Sequence, residues 1–183
     1  MDHNYYGLYN NIKLAPLKED EIERLREWRN QKEETRFLRD VGYISKEMQL
    51  NWFQEYLKEP NIFIFSIHEC EKLNRMIGSV ALYNFRDKKA ELGKIQIGDK
   101  EAHGIGAGKL AMAILCKIGF ELMGLDIIDG HVNKNNVAAY KNDLAIGFKV
   151  IQKSESGEDY IQIDSESLAL ANGYYNQIEI NGR

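Results

Sequence analysis

The chain has 183 residues, the length of one domain at about 150 residues each. Its 44% hydrophobic and 28% charged residues exclude a disordered tail, a collagen and a coiled coil. With 24 Lys and Arg against 28 Asp and Glu, the formal net charge is −4, opposite to that of a general binder of nucleic acid or anionic membrane.

Ile12, Leu14 and Pro16-Leu17 predict a short edge strand. A helix is expected over about 20–30, with Ile22, Leu25 and Trp28 at helical spacing. Ser45 reads as the N-cap of a second helix. That helix carries Trp52, Phe53, Tyr56 and Leu57 and stops at Pro60. Residues 62–67 and 76–85 read as strands by their β-branched and aromatic content. Residues 86–89 turn the chain into a further strand over about 90–98. Gly104, Gly106 and Gly108 precede a helix over about 107–122, whose polar positions Lys109, Lys117 and Glu121 share one arc, so the rest is expected to be buried. Residues 127–132 read as a strand, Asn136 to Ile146 as a helix closed by Gly147, 148–152 as a strand, 153–173 as mixed structure and 174–180 as a final strand. This order is an α/β (α+β) fold with a mixed sheet. Two cysteines, Cys70 and Cys116, cannot make a disulfide framework and suit a reducing cytoplasm. No basic region followed by an apolar run opens the chain, so no secretory signal is expected. The most apolar stretch, Leu110 to Cys116, is too short to span a bilayer.

The glycine segment carries the chemistry. Glycines opening a helix after a strand let backbone amides approach a phosphate, and the helix N-terminus adds positive potential. A dinucleotide fingerprint fails here because the third glycine comes one residue early. A P-loop fails because its first glycine would be His103 and its last residue is Leu110.

His103-Gly104-Ile105-Gly106-Ala107-Gly108 instead resembles the Q/R-x-x-G-x-G/A motif of the GNAT superfamily of N-acetyltransferases. Residues 76–82 look like that family's third strand, and Glu91-Leu92-Gly93 begins something like its fourth. Asn136 with Ala139 and Gly147-Phe148 is similar to the signature of its next helix and strand. The resemblance covers about 12–180 within a single domain spanning 1–183. It implies a mostly antiparallel seven-stranded sheet with about four helices, whose fourth and fifth strands splay apart. It also implies acetyl-CoA as co-substrate, with no metal. Gln96, Ile97, His103, Gly104, Ile105, Gly106, Ala107, Gly108, Lys109 and Asn136 would hold the cofactor. The family often has a Tyr acid seven residues after the helix asparagine; Asp143 stands there, and Tyr140, three residues earlier on the same face, is the candidate acid.

A primary amine is under about 0.1% neutral at pH 7, so a base is needed; Glu91 is the candidate. The oxyanion needs fixed donors, which the resemblance places on the backbone near Ile95 to Ile97. Bland readings stand beside these: Asn136 as a simple N-cap, Tyr140 and Cys116 as core. No His pair has metal-ligand spacing. Trp28, Arg29 and Phe37 are candidate acceptor contacts, although Trp28 also fits a core position. Trp28-Arg29-Asn30 looks like the branch that includes amino-sugar-nucleotide N-acetyltransferases. The ribosomal-protein N-terminal branch shares the opening, and polyamine and antibiotic acetylation stay open. The acidic run 155–166 would suit a cationic acceptor. A catalytically inactive acyl-CoA sensor or partner subunit is the alternative from another class. An exposed final strand is expected to allow a homodimer.

Overall fold

The computed structural model of the chain describes residues 3–31, 41–155 and 157–182. Nine strands form one sheet among these residues: β1 (Tyr6–Tyr9), β2 (Ile12–Pro16), β3 (Ile62–Glu69), β4 (Arg75–Arg86), β5 (Lys89–Ile97), β6 (Ile127–Asn133), β7 (Lys149–Gln152), β8 (Glu158–Ile163) and β9 (Glu179–Asn181). They run in the order β7-β8-β6-β5-β4-β3-β2-β1-β9. Every pairing is antiparallel except that of β5 with β6. The five α-helices are α1 (Ile22–Arg29), α2 (Lys46–Lys58), α3 (Ala107–Glu121), α4 (Val137–Ile146) and α5 (Ser165–Ala171).

Local chemistry sets most boundaries. The Ser45 hydroxyl accepts from the Met48 amide at 3.1 Å and caps α2. This satisfies one of the donors that a helix start leaves orphaned. Asp87 takes a left-handed φ of 52° in the β4–β5 turn, a conformation that a short polar side chain tolerates. Gly147 closes α4 at φ 111°.

The sheet separates two cores. On one face α3 is buried at every position from Ala111 to Phe120, against Leu14, Ile77, Leu82 and Ile128 of the sheet. On the other face α1 and α2 pack Leu25, Trp28, Phe53 and Tyr56 over Ile64 and Ala81. Lys117 departs from its expected place in a polar arc. It is buried, and its Nζ donates to the carbonyls of Tyr175 and Ile178, each at 3.0 Å. The cation thereby ties the C-terminal segment to α3.

Some expectations need correction. Among the described residues the sheet has nine strands rather than seven, and there are five α-helices rather than about four. The strand at Ile12 is interior, because β1 and β9 lie outside it. Residues 174–180 are mainly a 3-10 turn at Tyr175–Gln177, and the strand begins only at Glu179. The mixed stretch 153–173 holds β8 and α5. In β8 the inward positions are Asp159, Ile161 and Ile163, and the buried aspartate disguised the alternation.

Candidate active site

The site is built where β5 and β6 part. Their parallel register runs Lys89↔Ile127, Ala90↔Ile128, Glu91↔Asp129 and then stops. One cause is a bulge in β5. Ser79 pairs with Gln96 and Ala81 with Gly93, so β5 holds one residue more than β4 there. Lys94 takes the extra place at φ 51°. Such an insertion bends the strand and re-aims its side chains. The result is a fork, the splay expected of this strand pair.

Glu91 sits at the last paired position. Its carboxylate accepts from the Tyr83 hydroxyl at 2.6 Å and from the Asn84 amide at 2.9 Å. Burial, then the neighbouring Glu91, push the Tyr83 phenol up. Across the fork, His131 Nδ1 lies 3.9 Å from Glu91 Oε1. Sequence reasoning gave His131 no role, because only the β5–β6 register brings it to Glu91.

Beyond the fork, β5 leads through a 3-10 turn (Lys100–Ala102) into the glycine loop and α3. Gly104 and Gly106 both adopt φ 81°, and a Cβ on either would meet nothing within 4 Å. The loop is thus left-handed for its own geometry and open toward solvent. Gly106 is the N-cap of α3 and has no side chain to cap with. The first amides, from Ala107 to Lys109, therefore carry the orphan donors of the helix. Gly108 leans on β5, where a Cβ would lie 3.7 Å from Ile97. His103 Nε2 is 3.0 Å from the Ile97 carbonyl, which fixes the loop to the strand end. Ile105 is exposed. Open glycines and orphan amides at a helix start are an arrangement that can receive an anion.

Asn136 is the N-cap of α4, its Oδ1 accepting from the Ala139 amide at 3.2 Å. The Tyr140 hydroxyl donates to Asp159 Oδ2 at 3.1 Å. Burial first, then Asp159, push its phenol up. With Lys134 and Lys153 the pair lines a cleft of about 290 Å³. Asp143, one turn on from Tyr140, is buried, and burial pushes its carboxyl up to about 7.

A larger cavity, about 510 Å³, opens on the other sheet face. Leu25 and Arg29 of α1, and Met48, Gln49 and Trp52 of α2, form one wall; Val41 and Ile44 join them. The floor is Ile64, Ser79, Lys94 and Gln96. Asn30 fixes this wall in place: its side chain donates to the Ile44 carbonyl at 3.0 Å and accepts from the Ile44 amide at 2.9 Å. Arg29 lines the cavity. Trp28 does not; it is buried against Gly98, where a Cβ would fall 2.1 Å from the indole. That corrects its assignment as an acceptor contact, and Trp52 supplies the aromatic wall instead. Phe37 lies outside the described residues. Gln96 reaches the site through its side chain, on the cavity face of β5. The acidic run 155–166 falls on β8 and α5, beyond β6, and lines no part of this cavity. Among the described residues, no helix is long and apolar enough to cross a membrane, and no group of three His, Cys, Asp or Glu could hold a metal.

Residues 11–149 match the family model described as an acetyltransferase (GNAT) domain. The acetyltransferase PseH of Campylobacter jejuni is 27% identical over 128 residues, covering 70% of this chain and 76% of that protein. The solved structure of apo FdhC, described as a nucleotide-linked sugar GNAT, superposes with a TM-score of 0.75 at 19% identity, over 97% of each chain. The spermidine N-acetyltransferase of Vibrio cholerae, solved with CoA and spermine, gives a TM-score of 0.74 at 17% identity, over 86% of this chain and 98% of that one.

Proposed function

This chain belongs to the GNAT family of acetyltransferases and is an N-acetyltransferase; on that premise we propose that its donor is acetyl-CoA and its acceptor the primary amine of a sugar carried on a nucleoside diphosphate. The observation that carries the choice of acceptor is the charge of the 510 Å³ cavity. Its lining has two cations, Arg29 and Lys94, and no carboxylate among the described residues. A polyamine would meet repulsion there. A sugar nucleotide would bring its diphosphate to the two cations, and its base to the exposed ring of Trp52. FdhC and the spermidine enzyme share this fold equally well, so the lining, not the fold, favours the sugar.

The glycine cradle fits the donor's diphosphate. Backbone amides of Ala107, Gly108 and Lys109 would bind it, with Gly104, Ile105 and Gly106 shaping the loop and the Lys109 ammonium adding charge. His103 would hold the loop against β5. Asn136 would meet the pantetheine arm from the α4 side while capping its own helix. Bound acetyl-CoA supplies an activated thioester. In this reading Glu91, with His131 across the fork, takes the proton from the acceptor ammonium. The backbone N–H of Ile97 in β5, which points away from β4 into the fork, stabilises the oxyanion. A proton is returned to the departing thiolate from α4, where Tyr140 is held as a neutral phenol. The two thiols, Cys70 and buried Cys116, suit a cytoplasmic setting.

The test is thiol release from acetyl-CoA against nucleotide-linked amino sugars, spermidine, a peptide with a free N-terminus and an aminoglycoside. The reading expects the amino sugars to exceed every other acceptor in kcat/KM by at least about 100-fold, some 3 kcal/mol of differential binding. A faster reaction with spermidine or the peptide rejects the acceptor class. Binding of acetyl-CoA with no acetylation of any amine rejects the catalytic assignment.

A further inference from the structure

Gln96 is buried, with 7% of its surface exposed. It lines the large cavity, yet its Nε2 has no hydrogen-bond partner among the described residues. Burying an amide donor unpaired destabilises a fold, and such groups are rare in folded proteins. Its neighbour sharpens the point. Ser79 is the cross-strand partner of Gln96, so the two side chains lie on one face. Ser79 is also buried and also lines the cavity. Ser79 and Gln96 are therefore a buried neutral polar pair in the floor, set among Leu25, Met48 and Ile64, with buried Gln49 on the α2 wall. The two cations, half-exposed Arg29 and exposed Lys94, stand in more open positions.

We infer that the Gln96 side-chain amide donates a hydrogen bond to an oxygen of the acceptor sugar on the carbon next to the amine, and so sets specificity. The inference rests on the amino-sugar reading above. An N–H donor needs a lone pair. An ammonium has none, and the free amine commits its own to the thioester carbonyl. An oxygen beside the amine is what remains within reach on a sugar. The thioester oxygen is not the partner, because the cavity face of β5 carries the Gln96 side chain while a backbone donor serves the oxyanion. Ser79, able both to donate and to accept, would bind the same oxygen.

The experiment compares two nucleotide-linked amino sugars, one with a hydroxyl next to the amine-bearing carbon and one deoxy at that carbon. Each is assayed with the wild type and with Gln96→Met, which keeps the side chain's length but removes the donor. The wild type should prefer the hydroxylated sugar by about 30-fold or more in kcat/KM. Gln96→Met should bring the ratio within about threefold by slowing the hydroxylated sugar alone. Thermal unfolding gives a second readout without substrate. Removing an unpaired buried donor should raise the Tm by a few degrees. A Gln96→Met variant that keeps the preference, slows both sugars equally or unfolds at a lower temperature overturns the inference. If the wild type uses neither sugar, the acceptor class itself fails and this inference falls with it. Turnover with an unaltered preference rejects only the role of Gln96.

Discussion

Replacing Asp143 with Asn should stabilise this protein at pH 8 and leave it unchanged near pH 4. Asp143 lies on the inward stripe of α4 with Tyr140 and Ile146, and is 7% exposed. Burial pushes its carboxyl from 3.8 up to about 7. The unfolded chain loses this proton near pH 4, and the folded chain keeps it to about pH 7. Between those values the unfolded state binds fewer protons, so stability falls as pH rises. About three pH units at 1.36 kcal/mol each give about 4 kcal/mol. That cost is absent below pH 4 and complete above pH 7. Asparagine is nearly isosteric and does not titrate, so the difference between variant and wild type isolates this one group. Urea unfolding at half-unit steps from pH 4 to 8.5 measures it. The expected curve climbs from near zero to a few kcal/mol and levels above pH 7. A flat difference, or one that falls with pH, would refute the assignment of a buried, protonated carboxyl to α4.

Gly106→Val should fold, at a loss of about 1–2 kcal/mol for a β-branched residue at φ 81°. It should also lose the thermal shift that acetyl-CoA gives the wild type, about 2.7 kcal/mol at a hundredfold excess over Kd; a retained shift would remove the cradle from cofactor binding. Gly98→Ala should cost about 2–3 kcal/mol by overpacking, because its Cβ would fall 2.1 Å from the Trp28 indole; denaturant titration showing no loss would contradict the packing. Lys117→Met should strip the shared donor from the Tyr175 and Ile178 carbonyls, at about 2–4 kcal/mol. A drop in Tm of roughly 10 °C is expected, and an unchanged Tm would show that the cation does not hold the C-terminal segment.

Much of this architecture was legible before the structure. Ser45, Gly147 and the turn at 86–89 mark boundaries through local chemistry that tertiary packing does not alter. The glycine loop was legible because its spacing excluded two phosphate-binding patterns and resembled a third. The β5 bulge left a trace that went unread. Apolar residues fall at 90 and 92, then at 95 and 97, so the alternation slips by one residue at Lys94. That slip aims Gln96 into the cavity beside Ser79. Trp28 was misplaced because helical spacing says that a residue is inward, not which neighbour covers it. Gly98, seventy residues away, does so. Trp52 and His131 were invisible for the same reason: their partners come from register and helix packing, which no local pattern encodes. In β8 the reverse held, since one buried aspartate broke an alternation that was otherwise present.

The central claim is direct transfer of an acetyl group to the amine of a nucleotide-linked sugar. Acetyl-CoA labelled with carbon-13 at the carbonyl, incubated with a nitrogen-15-labelled amino-sugar nucleotide and the enzyme, tests it by NMR. The thioester resonance should be replaced by an amide resonance coupled to the sugar nitrogen, with free CoA released in equal amount. A thioester that persists with the amino-sugar nucleotide, while parallel reactions with spermidine or a peptide N-terminus in the same buffer consume it, would contradict that transfer.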